Sequence, residues 1–113
     1  MKEIRRYIDD KSFVNYRLGE NAKENHLLID NADPNDWWFH LDGHSSGHCI
    51  VEINVGDSLL GEDIGFACDL IKSNCKLKNS NKKLKYVYTQ IKNLTKTKIK
   101  GMVNVGNPKY ILI

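Results

Sequence analysis

The strongest constraint on the fold is an alternation. Residues 37–41 (Trp-Trp-Phe-His-Leu) and 49–55 (Cys-Ile-Val-Glu-Ile-Asn-Val) are two segments rich in aromatic and β-branched side chains. Between them lies Asp42-Gly43-His44-Ser45-Ser46-Gly47, a run of turn formers. Successive side chains of a strand point to opposite faces. Sorting by parity puts Trp37, Phe39, Leu41, Cys49, Val51 and Ile53 on one face. Trp38, His40, Asp42, His48, Ile50 and Glu52 fall on the other. The first face is apolar throughout and demands burial; the second is mostly polar. A hairpin satisfies both, with Phe39 opposite Val51 as the expected register, and a one-residue slip would invert the sorting.

The rest of the chain supplies partners for this hairpin. Ile4–Ile8 and Phe13–Leu18 read as two strands around the polar turn Asp9-Asp10-Lys11, an N-terminal hairpin. Asn21 is a helix cap with Glu24 three residues on, and the helix runs to about Asn31, ahead of Pro34. Ile64, Ala67, Cys68, Ile71 and Cys75 recur at helical spacing. That helix begins acidic and ends lysine-rich, as its dipole favours. Residues 76–83 are a polar loop, and Leu84, Tyr86 and Tyr88 alternate as a strand. Residues 91–100 match no regular pattern. Met102–Val105 and Tyr110–Ile113 flank Gly106-Asn107-Pro108, which predicts a C-terminal hairpin. The fold class is α+β, a largely antiparallel sheet with two helices, and 113 residues suffice for one domain over 1–113.

Composition narrows the function classes. With 41% hydrophobic and 27% charged residues the chain has the makings of a core. No apolar run is long enough to cross a membrane, and the charged start Met1–Lys11 is unlike a signal peptide. Three cysteines form no paired framework, so reduced thiols and a cytoplasmic location are expected.

The net charge of +3 conceals an asymmetry. All 14 acidic residues lie at or before Asp69, whereas residues 72–100 hold ten lysines and no acid. Such a dipolar chain favours a polyanionic partner at one surface.

The densest chemistry sits in Asp36–His48, where His40, His44 and His48 are spaced four apart. Zinc accepts such ligands, but the strand-like flanks and two glycines keep them off a single helix, and no metal site or cofactor is expected. A nuclease or phosphohydrolase using His40 and His48 as acid and base is an alternative. No Gly-x-Ser-x-Gly elbow or phosphate-binding Gly-x4-Gly-Lys loop is present.

Gly19-Glu20-Asn21 with Asn25, then Asp36-Trp37-Trp38-Phe39-His40, then Gly47-His48, resembles the NFACT RNA-binding domain, the C-terminal module of ribosome-associated quality-control factors. Tyr88-Thr89 and Gly101-Met102-Val103 are similar to that family's closing strands. The likeness runs over about residues 12–113 and is greatest to the family's small stand-alone form. It implies non-catalytic RNA binding, to tRNA or ribosomal RNA in a translation setting, with the large ribosomal subunit as a further partner. The family's motif positions fall here on Gly19, Asn21, Asn25, Asp36, Trp38, His40, Gly47 and His48. Glu20 departs from the pattern, since long relatives often carry a basic residue there.

On this reading Lys72, Lys76, Lys82, Lys83, Lys85, Lys96 and Lys98 meet phosphates. Trp38 and His40 offer stacking surfaces, and His40, Ser46 and His48 hydrogen-bond phosphate or 2′-hydroxyl groups. DNA binding, or docking on a ribosome-bound protein through Tyr110–Ile113, are the other readings.

Overall fold

The structure, a computed structural model, describes residues 1–54 and 56–113. Eight strands and two helices follow in the order β1 (Lys2–Tyr7), β2 (Phe13–Leu18), α1 (Ala22–Asn31), β3 (Trp37–Leu41), β4 (Cys49–Glu52), α2 (Gly61–Ser73), β5 (Lys85–Gln90), β6 (Leu94–Lys96), β7 (Val103–Val105) and β8 (Lys109–Leu112). A 3-10 turn over Ile91–Asn93 links β5 to β6. Six strands form one sheet in the order β1-β2-β4-β3-β5-β8, every pair antiparallel. Strands β6 and β7 form a separate two-stranded ribbon. The class is α+β, as expected.

The parity sorting survives, and its consequence changes. On one face Tyr16, Leu18, Phe39, Leu41, Cys49, Val51 and Tyr86 pack against Ala67, Cys68 and Ile71 of α2. The opposite face is also covered. Trp38, Ile50 and Val87 join Leu28 of α1, Ile91 and, from the ribbon, Leu94, Val103 and Val105 in a second apolar cluster. The sheet is therefore the middle of three layers. The expected polar face is instead an interior, because α1 and the ribbon need a surface on which to bury their own apolar stripes.

Three local expectations are corrected. The β3–β4 register is two residues from the expected one: Trp37 faces Val51 and Phe39 faces Cys49. A shift of two leaves each side chain on its face, so parity had no means of detecting it. The C-terminal hairpin does not form. Strand β7 pairs with β6, and β8 crosses back to pair with β5, Tyr86 facing Ile111. Ile111 packs against the α2-side core from there, which a tight hairpin with β7 would deny it. Residues 91–100 are not pattern-free but supply the 3-10 turn and β6. The end of the strand expected over 49–55 falls at residue 55, outside the described residues.

The helix expectations hold, except that α2 ends at Ser73 and leaves Cys75 just beyond it. Asn21 caps α1, its Oδ1 accepting from Glu24 N at 2.9 Å. Glu24 reaches back as a capping partner does, but takes the N–H of Glu20 (3.0 Å) rather than that of the cap itself. Helix α2 starts with Glu62 and Asp63 and carries Lys72 in its last turn.

Candidate nucleic-acid interface

Four segments far apart in sequence meet at one end of the sheet. They are the N-terminus of α1, the β3–β4 loop, the residues following α2 and the turn of the β6–β7 ribbon. They enclose a groove of about 1000 Å³, into which His40, His44, Ser46, His48, Lys76, Lys78 and Lys100 all present lining surface.

The motif residues build its wall. Gly19 N donates to His48 O at 2.9 Å. His48 N donates to Asn25 Oδ1 at 3.0 Å, in a buried setting. The two glycines are required by proximity: a Cβ on Gly19 would strike Asn25 Oδ1, and one on Gly47 would strike the Gly19 carbonyl, both well inside contact distance. Gly19, Asn25, Gly47 and His48 therefore form a single knot that fastens the β3–β4 loop to the start of α1. Asp36 does similar work at the other end of β3. Its carboxylate accepts from Asp33 N (3.0 Å) and Ile53 N (3.2 Å), and its carbonyl accepts from Ile91 N (2.9 Å).

The ribbon is held from α1. Gly101 N donates to His26 Nε2 at 3.0 Å. Gly101 has φ of 85°, and a Cβ there would stand 2.7 Å from the Ala22 Cβ, so both backbone and space call for glycine. This contact between residues 75 apart is what brings Lys100 to the groove.

The expected stacking surface is the main correction. Trp38 is 1% exposed, so its ring has no face free for a base. It lies beneath the imidazoles instead, 5.8 Å from the His40 ring in near-parallel stacking and 5.1 Å from the His48 ring edge-on. His48 is itself 3% exposed, and its Nδ1 has no hydrogen-bond partner among the described residues. His40 is half-buried and meets the His48 ring edge-on at 4.8 Å. Burial lowers the pKa of His40, against the opposing pull of the Ser46 backbone and Asp42. Burial, with the neighbouring His40 and His26, drives His48 down to about 3. Both rings are neutral hydrogen-bonding groups near pH 7. Ser46 is half-buried, its hydroxyl on the Gly47 carbonyl at 3.3 Å.

The expected lysines divide into groups. Lys76 lines the groove, joined by Lys78 and Lys100, which reading residue types alone did not single out. Lys72 Nζ donates to Ser80 O at 2.9 Å, closing the loop after α2. Lys96 pairs with Asp30 of α1. Lys85 lies 3.8 Å from Asp42 and 4.5 Å from the Tyr110 ring centre. Lys82, Lys83 and Lys98 are exposed. The one acid on the groove wall, Glu20, is answered by the N-terminal ammonium at 3.4 Å and Lys2 at 3.8 Å. Among the described residues no group of three potential ligands is placed to hold a metal ion, and no helix is long and apolar enough to cross a membrane.

These features define a small three-layer α+β domain with a cationic, imidazole-lined groove at one end of its sheet. Residues 5–109 match the model of the NFACT protein RNA binding domain, and the chain belongs to that family. It is similar to coiled-coil domain-containing protein 25 of Bos taurus and of Mus musculus, 32% identical over 96 residues in each case. That match takes in 79% of this chain and 44% of theirs, so the chain spans less than half the length of these relatives. Among solved structures, the C-terminal part of the fibronectin/fibrinogen-binding protein from Streptococcus suis superposes with a TM-score of 0.79 at 22% identity, over 100% of this chain and 45% of that one. At that identity the likeness is one of fold.

Proposed function

We propose that the chain is a non-catalytic RNA-binding module that holds the sugar–phosphate backbone of a tRNA or ribosomal RNA in the groove beneath the β3–β4 loop, in a cytoplasmic, ribosome quality-control setting. Membership of an RNA-binding domain family supports the class of ligand. The observation that carries the reading is the convergence of Lys76, Lys78 and Lys100 on the same groove as His40, His44 and Ser46. Ammonium groups neutralise phosphates without regard to sequence. The neutral His40 imidazole and the Ser46 hydroxyl discriminate through 2′-hydroxyl and phosphate contacts. The N-terminus of α1, opening on the groove at Asn21 and Ala22, adds a favourable dipole.

A hydrolase reading draws on the adjacency of His40 and His48. It is disfavoured because burial lowers both imidazoles, leaving neither protonated to act as general acid at neutral pH.

Fluorescence anisotropy against tRNA across a salt series tests the proposal. If about five phosphates are neutralised on a single strand, log K falls against log salt with a slope near −3.5. Replacing Lys76, Lys78 and Lys100 by Gln makes that slope shallower by about 2, at roughly 0.7 per phosphate contact. The same change at Lys92 and Lys109, exposed and outside the groove lining, leaves it in place. A wild-type slope near zero, or equal losses from both variants, refutes the assignment.

A further inference from the structure

A second groove, of about 470 Å³, lies between the tip of the β1–β2 hairpin and the N-terminal turn of α2. Its character is opposite to that of the first. Ile8, Phe13 and Leu60 supply its apolar surface, and Ile8 and Leu60 are 60% and 56% exposed, unusual for aliphatic side chains so close together. Asp9, Asp57 and Glu62 rim it. The nearby arginines are occupied: Arg6 pairs with Asp63 and lies 3.6 Å from Glu62, while Arg5 sits over the Phe13 ring at 4.6 Å. Glu52, on the same wall, pairs with Arg17. Among the described residues no cation stands within ion-pair distance of Asp9 or Asp57.

We propose that this groove docks a cationic, apolar-interleaved peptide segment of a protein partner. Leucine-sized side chains would cover Ile8, Phe13 and Leu60, and lysines or arginines would meet Asp9, Asp57 and Glu62. The charge of the rim decides among possible occupants. Nucleic acid and anionic membrane are repelled by it. A second copy of this chain offers lysines between residues 72 and 100, but Leu77 and Leu84 there pack in its own core, and the exposed Ile99 alone is too small to cover Ile8, Phe13 and Leu60. A free peptide carries no such restriction.

The location adds a consequence. The two grooves lie at opposite ends of β2, whose six residues span roughly 17–20 Å at about 3.3 Å each. One molecule can therefore hold RNA at one end and a basic protein segment at the other without their competing for surface. The docking proposal does not depend on the RNA reading.

The test is anisotropy of a fluorescein-labelled synthetic peptide repeating Lys-Leu-Lys-Ala, with a Glu-Leu-Glu-Ala peptide as its counterpart, against the full chain. Two variants accompany it: D9N/D57N/E62Q, and I8S/L60S. These positions are exposed, and Asn at residue 9 keeps the acceptor that Asp9 Oδ1 provides to Lys11 N and Ser12 N, so the fold is retained and is checked by the thermal midpoint. Saturable binding of the lysine peptide is expected, about tenfold weaker in each variant. The glutamate peptide should not bind, and tRNA affinity should be unchanged throughout. Absence of saturable binding overturns the proposal, as does weakening by the charge variant alone, which would mean non-specific attraction. Loss of tRNA affinity in the same variants would hand the face to RNA. Concentration-dependent dimers that both variants abolish would hand it to a second copy.

Discussion

Asn25 offers the sharpest test of how the RNA-side groove is built. Its Oδ1 accepts the buried His48 N–H at 3.0 Å, and the residue is 5% exposed. Asn25→Ala removes that acceptor from a buried N–H, at a cost of about 1–3 kcal/mol. At about 4–8 °C per kcal/mol the thermal midpoint drops by roughly 4–24 °C. Gly19→Ala is destabilising for a different reason, because its new methyl would occupy the position of that same Oδ1; such overpacking costs about 1–3 kcal/mol. Once Asn25 is alanine, that clash is gone and the methyl's nearest remaining neighbour is the residue-25 backbone nitrogen at 3.1 Å, a close contact relieved by a shift of a few tenths of an ångström. The two costs therefore overlap. In urea unfolding followed by tryptophan fluorescence, the double variant should be less destabilised than the two singles summed, by about 1 kcal/mol or more. Additivity within about 0.5 kcal/mol would mean that Gly19, Asn25 and His48 do not share one contact, and the knot would be refuted.

Other consequences are open to measurement. The His48 imidazole, held at about 3 instead of its ordinary 6.5, should show no titration by NMR between pH 7.5 and 5; a midpoint near 6.5 would contradict its burial. Because the unfolded chain takes up a proton that folded His48 refuses, stability should be level above about pH 6.5 and decline as pH falls below it. His40, also lowered, acts in the same direction, and a His48→Gln variant should flatten the profile. Trp38→Ala should cost about 3–5 kcal/mol as a core truncation. Trp38→Phe, which keeps a buried ring, should leave tRNA affinity within about twofold; a selective tenfold loss in that folded variant would restore Trp38 to the interface.

The α+β class and most elements were legible in the residues, because they rest on short-range rules. Asn21 with Glu24 marks a helix start, acids then lysines mark the two ends of α2, and period two assigns each β3 and β4 side chain to a face. Parity shows that Trp38 and Phe39 part company. It does not show what covers each face, since that depends on α1, on the 3-10 turn and on a ribbon more than fifty residues downstream. Trp38 therefore looked like a platform and is a core residue. The partner of β8 was hidden for a related reason: β5 and the ribbon strand β7 are both locally acceptable, and the choice is made by the core contact of Ile111.

The motif positions were recognisable as a set before any of them had a physical task. Chain order records that Gly19, Asn25, Gly47 and His48 occur together; only folding shows them as one hydrogen-bonded contact in which a single added methyl has no room. The same holds for charge. Ten lysines in one stretch announce an electropositive molecule. Which of them share a groove with His40, and which are spent on Asp30, Asp42 or Ser80, is settled by distances between segments that the chain order keeps far apart.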